Sequence, residues 1–369
     1  MRSLLTVLTL ILVFSTLALA ADPPLPEIPG AQLGQPLLNH YKKQIARRVA
    51  FRKKQVVEAL DDAACVKARK LCVRDYEFYN DANYQEEFAK EIAKQWMDIL
   101  TAKGLEDDAM KRIRQINAAL AMSEMGSPAM QPGWEIMVRS NEPVFRSIGW
   151  LGYSRGRDAL LKNAQKKAID MLTASMQAGL GTETSPIVLQ QIFAVLSPNG
   201  MPSMTDAVQK QFASGLIANW DTLRLGLASD PQIDRLEALT GAALALEALS
   251  KSSVLITPKD KAKLSQMAID LMLSAAKVYD DNKETIATDR AFKEAIHALL
   301  TQCEKSLQAT SGKTDKKIQT ALTSNDVAQG DRGAAVMGAV FEWADGLKSQ
   351  GVTDPKLPKK PAKKSPKTK

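Results

Sequence analysis

The sequence predicts an all-α protein: a multi-helix array of α-solenoid or α/α-toroid type, with roughly ten helices and a disordered C-terminal tail. Three observations carry this expectation. Between Leu37 and Lys103 there is neither glycine nor proline, which suits long helices and is rare where strands alternate with tight turns. Apolar residues recur three and four positions apart through most of the chain, and no segment shows strand alternation bounded by hairpin turns. The last fourteen residues, KLPKKPAKKSPKTK, hold seven lysines and a single large apolar side chain, too little to offset the entropy of ordering them.

In chain order, MRSLLTVLTLILVFSTLALAAD has Arg2 as its one charge before Asp22, with Ala18 and Ala20 at signal-peptidase spacing. Residues 1–20 therefore read as a secretory signal, and the protein as exported: secreted, periplasmic or envelope-associated. Retained, an apolar run of about 18 residues would be long enough to anchor the chain, but the proline-rich linker that follows, residues 21–36, favours removal. No later stretch is apolar enough to form a transmembrane helix after cleavage.

An N-terminal helical region follows, 37–126. Leu37, Tyr41, Ile45 and Val49 step by four; YNDAN offers N-caps to a second helix with Phe88, Ile92, Trp96, Ile99 and Leu100 on one face; a third carries Met110, Ile113, Ile116 and Leu120 and stops at Gly126. Residues 127–156 concentrate Gly, Pro, Trp and Arg and read as a connecting segment. Helical periods resume over 157–352, punctuated by SPNGMP, SDP, TPKD and SGKTD, and the tail occupies 353–369. Ala168-Ile169-Asp170 recurs as Ala268-Ile269-Asp270, and Gly241-Ala-Ala-Leu as Gly333-Ala-Ala-Val, the kind of echo a duplicated helical array leaves. The stretch LTGAALALEALSK also resembles the repeat helices of the terpenoid-cyclase and prenyltransferase toroids, over a dozen residues and without that family's tryptophan-containing turn motifs.

Composition narrows the chemistry. His40 and His297 are the only histidines, so imidazole catalysis and His/Cys zinc sites are disfavoured, and neither a metal, a cofactor nor a catalytic residue is assigned. SGKT at 311–314 lacks the phosphate-loop glycine, Leu307 standing in its place. Asp280-Asp281-Asn282-Lys283-Glu284 reads as acidic caps at a helix boundary.

The net charge of +8 and pI near 9.2 do not describe the body. Once the signal is removed, the excess lies wholly in the tail, and Ala21 to Pro355 hold as many acidic as basic residues. That balance argues against a sequence-specific nucleic-acid binder. It points to a tail in which Lys359, Lys360, Lys363, Lys364 and Lys367 meet an anionic surface or polyanion, with the body free to hold a protein partner.

The candidate ligand site is the aromatic and arginine cluster Trp134, Arg139, Arg146, Trp150, Tyr153 and Arg155. Its rings would stack a ligand while guanidinium forks clamp an anion. The same residues also suit an aromatic seam between helices with the arginines solvated. The leading function is thus an exported, non-enzymatic helical binding or envelope-associated protein; the alternative is a secreted carboxylate-dependent enzyme, for example on polysaccharide, with its cleft near 126–156.

Three cysteines remain. On a helix, Cys65 and Cys72 lie about 10.5 Å apart at 1.5 Å per residue, too far for the roughly 7 Å that a disulfide spans. The open alternatives are a bridge from Cys303 to Cys65 or Cys72, a small loop closed between Cys65 and Cys72, and three buried thiols.

Overall fold

The computed structural model describes residues 35–102, 108–162, 166–195, 206–229, 231–251, 257–325 and 328–358. The expected signal sequence at 1–20, nearly all of the expected linker at 21–36 and the five tail lysines from Lys359 to Lys367 lie outside the described residues. Among the described residues there are sixteen α-helices and no strand, so the all-α array stands while the helix count exceeds the expected ten. None of these helices is long and apolar enough to cross a membrane. The chain divides after Gly133 into two compact units.

The first unit holds α1 (Gln35–Val57), α2 (Asp62–Glu77), α3 (Ala82–Thr101) and α4 (Ala109–Met125). α1 packs on α2 and α3, and α4 on the same two helices. Aspartates set the starts: Asp61, Asp81 and Asp108 each accept a hydrogen bond from the backbone N–H three residues on. Asp61 is why the glycine-free run breaks once more than its period suggests. Gly126 then ends α4 in the left-handed conformation, φ 59°. Phe88, Ile92, Trp96 and Leu100 are buried as their spacing predicts, but α4 buries Ala118, Ala119, Ala121 and Met122, leaving Ile113, Ile116 and Leu120 half-buried. Small side chains let neighbouring helices close on α4, so its alanine face is the one covered.

This unit also buries charge. Asp75, 1% exposed, accepts from Arg48 Nε (2.6 Å) and Nη2 (3.0 Å) and from Arg52 Nε (2.6 Å) and Nη2 (3.3 Å). The pair of forks ties α1 to α2, and Tyr84 Oη, donating to the Asp75 carbonyl at 2.9 Å, adds α3.

α5 (Gln131–Val138) carries the division; α6 (Pro143–Lys162), α7 (Lys166–Thr182), α8 (Pro186–Val195), α9 (Asp206–Ala218), α10 (Trp220–Ser229), α11 (Ile233–Ser250), α12 (Pro258–Asp281), α13 (Lys283–Thr288), α14 (Arg290–Ser311), α15 (Lys317–Thr323) and α16 (Arg332–Gly346) follow. The expected connecting segment at 127–156 is thus mostly helical. Pro128 and Pro143 each open a helical turn and Pro132 stands second in α5, positions where the missing N–H has no intrahelical partner to lose.

Packing in the second unit runs stepwise from α6 to α8, α11, α14, α12 and α16, with α7 on α9 and α10 on α12. α14 is central to it. Asp289 caps its start, Gly312 its end, and Phe292, Ile296, Leu299, Cys303 and Leu307 are buried at three- and four-residue steps. Glu304, 2% exposed on α14, accepts from the backbone N–H of Ile318 (2.7 Å) and Gln319 (3.1 Å) and from Trp343 Nε1 (2.9 Å), so one carboxylate starts α15 and holds α16. The sequence echoes fall in unlike places: Ala168 lies in the first turn of α7, Ala268 midway along α12.

Candidate functional site

α5 and α6 bring most of the aromatic and arginine cluster together around one end of α7. Trp134 and Tyr153 are fully buried and Trp150 is 2% exposed. Their rings form a run, Trp134 to Tyr153 at 5.4 Å and 60°, Trp150 to Tyr153 at 5.6 Å and 41°. Gly152 permits it: a Cβ there would lie 2.3 Å from Trp134 Nε1. Trp134 and Tyr153 are therefore core residues of this unit.

Beside them lies a half-open cavity of about 610 Å³, lined by Arg139, Arg146, Trp150, Ser175, Gly179 and Glu183 among others. The size suits a small ligand. Its arginines are already committed to protein partners. Arg146 makes a two-pronged pair with Glu183 (Nε to Oε2 2.6 Å, Nη2 to Oε1 3.0 Å), and its Nη1 donates to the carbonyls of Ser140 (3.0 Å) and Asn141 (2.8 Å). Arg139, largely exposed, reaches back one turn to Glu135 at 3.0 Å. Arg155 is exposed and is not among the lining residues.

Two carboxylates organise the wall. Glu135 is 6% exposed and accepts from Tyr153 Oη, from Ser175 Oγ (3.1 Å to each oxygen) and from Arg139. Burial alone would raise the Glu183 carboxyl, but Arg146 and the backbone N–H groups of Ser185 and Thr184 together hold it below the usual carboxylate range. Glu183 keeps its charge at neutral pH and does not suit the role of a general acid. Sequence reasoning missed Glu135, Ser175 and Glu183 as members of this cluster. Glu135 had a signal, four residues before Arg139 on a helix; Glu183, 37 residues from Arg146, had none.

The root of the tail forms a second feature. Residues 353–358, expected to begin the disordered tail, are held to α10 and α12. Thr353 N and Oγ1 donate to Gln266 Oε1 (2.8 and 3.0 Å), Lys356 N donates to Asp270 Oδ1 (2.9 Å), and Arg224 Nη2 donates to the Lys356 carbonyl. Val352 and Pro355 are buried. Arg224, 2% exposed, also meets Asp221 (2.9 Å) and Asp270 (3.6 Å). Burial pushes Asp270 up and Arg224 down, against their mutual attraction.

Cys65 and Cys72 in the first unit and Cys303 in the second are each a buried free thiol. Cys65, Ala68, Cys72 and Asp75 make one buried stripe of α2, which gives the short CVKARKLC stretch its helical spacing. Burial pushes all three thiols up, most strongly Cys72 and Cys303. No group of three or more His, Cys, Asp or Glu among the described residues is arranged to hold a metal ion.

No family model matches this chain. No curated protein matches it either. One solved structure, the crystal structure of an engineered protein, aligns over 87% of this chain and 85% of its own at 12% identity with a TM-score of 0.35. At that score the likeness carries nothing about fold or function.

Proposed function

We propose that this is an exported helical binding protein, associated with the cell envelope or another anionic surface through its lysine tail, with the helical body available to a partner. The observation that carries the reading is the separation of charge from structure. The tail holds the whole excess of positive charge, the body is balanced, and the chain is clamped at Thr353 and Lys356 just before the lysines begin. A polycation leaving a neutral body from a fixed point works as a leash: attraction falls off over the Debye length, about 10 Å at 0.1 M salt, so the tail and not the body meets the surface. Support also comes from the cavity beside Trp150, where Arg146 is matched by Glu183 and Arg139 by Glu135, so its guanidinium groups add no net positive charge to the body.

Co-sedimentation with phosphatidylglycerol vesicles tests the proposal. The mature chain should pellet with anionic vesicles at low salt and be released at high salt, and a chain ending at Pro358, which keeps the clamp, should stay in the supernatant. Equal pelleting of both chains would overturn it. The mature N-terminus at Ala21 is checked on the same material by intact mass.

A further inference from the structure

A groove on the exposed side of α14 holds groups that the tail and the cavity beside Trp150 leave unused. Lys293, His297, Thr301 and Lys305 follow one another at four-residue steps and so stand in one line along the helix, about 18 Å from end to end at 1.5 Å per residue. With Gln302 and Thr240 of α11 they line a concavity of about 660 Å³. Neither Lys293 nor Lys305 is in an ion pair, and the Thr301 hydroxyl makes no hydrogen bond, among the described residues. Carboxylates stand only towards the ends. Glu294 is paired with Arg290 at 2.7 Å, and Glu247, beside Gln302 and Lys305, is held by Gln302 (2.7 Å) and Lys251 (2.6 Å).

The geometry points to a binding site for a phosphate-bearing small molecule, its phosphate seated over His297 and Thr301 between Lys293 and Lys305. Two ammonium groups outside any ion pair supply charge, the hydroxyl supplies a directed donor, and the imidazole, whose Nε2 is buried, offers Nδ1 to share a proton with phosphate, whose second ionisation lies near 6. The volume is that of a small-molecule site, and the flanking carboxylates would repel a long polyanion. Behind the imidazole, Tyr279 of α12 stacks on it at 5.6 Å and 24°, and Arg332 opens α16; His297 Nε2, Tyr279 Oη and Arg332 Nε are all buried without a hydrogen-bond partner. Burial, then the charges of Lys293 and Arg332, hold His297 below its ordinary value and favour the neutral ring at pH 7. An anion in the groove reverses that balance, and binding draws a proton onto His297.

The chain has two histidines, which makes the test direct. Inorganic phosphate is titrated into the full mature chain against chloride at matched ionic strength, and the imidazole ring signals of His40 and His297 are followed by NMR. His297 should shift saturably and its titration midpoint should rise, while His40 stays still. Lys293→Ala with Lys305→Ala, two changes on an exposed helix face checked for folding by circular dichroism, should weaken binding about tenfold or more. Glycerol 3-phosphate should compete with inorganic phosphate. A His297 signal unmoved by phosphate, a shift unchanged in the double variant, or failure of glycerol 3-phosphate to compete would each overturn the assignment.

Discussion

Replacing Trp134 by alanine separates a core residue from a ligand platform. The indole is fully buried and edge-packed on Tyr153, and its neighbour Gly152 has no side chain with which to fill the space left behind. A buried Trp→Ala change costs about 3–5 kcal/mol, towards the upper end where surroundings cannot collapse. For a unit of this size each 1 kcal/mol lowers Tm by about 2–4 °C, so a fall of roughly 10 °C or more is expected. Arg146→Ala is the comparison. It removes the two-pronged pair, yet Glu183 keeps the N–H groups of Ser185 and Thr184, and the exposed side of the pair admits water, so about 1–2 kcal/mol is expected. Thermal unfolding followed by far-ultraviolet and near-ultraviolet circular dichroism reads both variants. A Trp134→Ala protein that melts with the parent, or no earlier than Arg146→Ala, would refute the assignment of Trp134 to the core.

Asp75→Ala should destabilise the first unit by about 3–5 kcal/mol in urea unfolding, because it strips the carboxylate from two buried guanidinium groups; replacing Arg48, Arg52 and Asp75 together by apolar residues of similar size should cost far less. His297 has a lowered folded-state value, so the unfolded chain binds its proton first as pH falls; stability of the second unit should drop between about pH 7 and 5, and His297→Gln should flatten that slope in urea midpoints measured across the range. Cys65, Cys72 and Cys303 should all resist a disulfide-exchange thiol reagent in the native protein and all react once denaturant is added, with no change on prior reduction.

The fold class was legible because long amphipathic helices write their period into the sequence: Phe88, Ile92, Trp96 and Leu100 in α3, and Phe292, Ile296, Leu299 and Leu307 in α14, are buried as spaced. The helix count was not, because a capping aspartate such as Asp61 starts a new helix without interrupting the apolar period. In α4 the large apolar residues misled, since tight packing selected the alanine face. The candidate cluster divided along similar lines. Local spacing found Trp134, Arg139, Arg146, Trp150 and Tyr153 as neighbours, but whether a ring faces ligand or core depends on Gly152 and on Glu135 and Glu183, contacts formed by folding. The Lys293 to Lys305 line was present in the sequence as a four-residue step, and went unread because charged residues at that spacing usually mark a solvated helix face.

The root of the tail carries a last prediction, because composition and structure disagree there. Lysine and proline content predicts disorder from residue 353, yet two backbone N–H groups in that stretch donate to side chains of α12, and a buried guanidinium takes up the Lys356 carbonyl. The side chains of Thr353 to Pro358 add little apolar burial beyond Pro355, so it is these polar contacts that hold the segment. Amide hydrogen exchange should therefore be slowed at Thr353 and Lys356. Asp270→Ala removes the acceptor for Lys356 N–H and the nearby charge that attracts Arg224, and should speed exchange at Lys356 by about tenfold or more, since one hydrogen bond to a charged group contributes about 1.5–3 kcal/mol. Gln266→Ala should do the same at Thr353. Neither change touches a lysine beyond Pro358, so binding to phosphatidylglycerol vesicles should persist in both. Coil-like exchange at Thr353 and Lys356 in the parent would refute the clamp, and loss of vesicle binding in Asp270→Ala with the clamp released would show that the leash needs its fixed root.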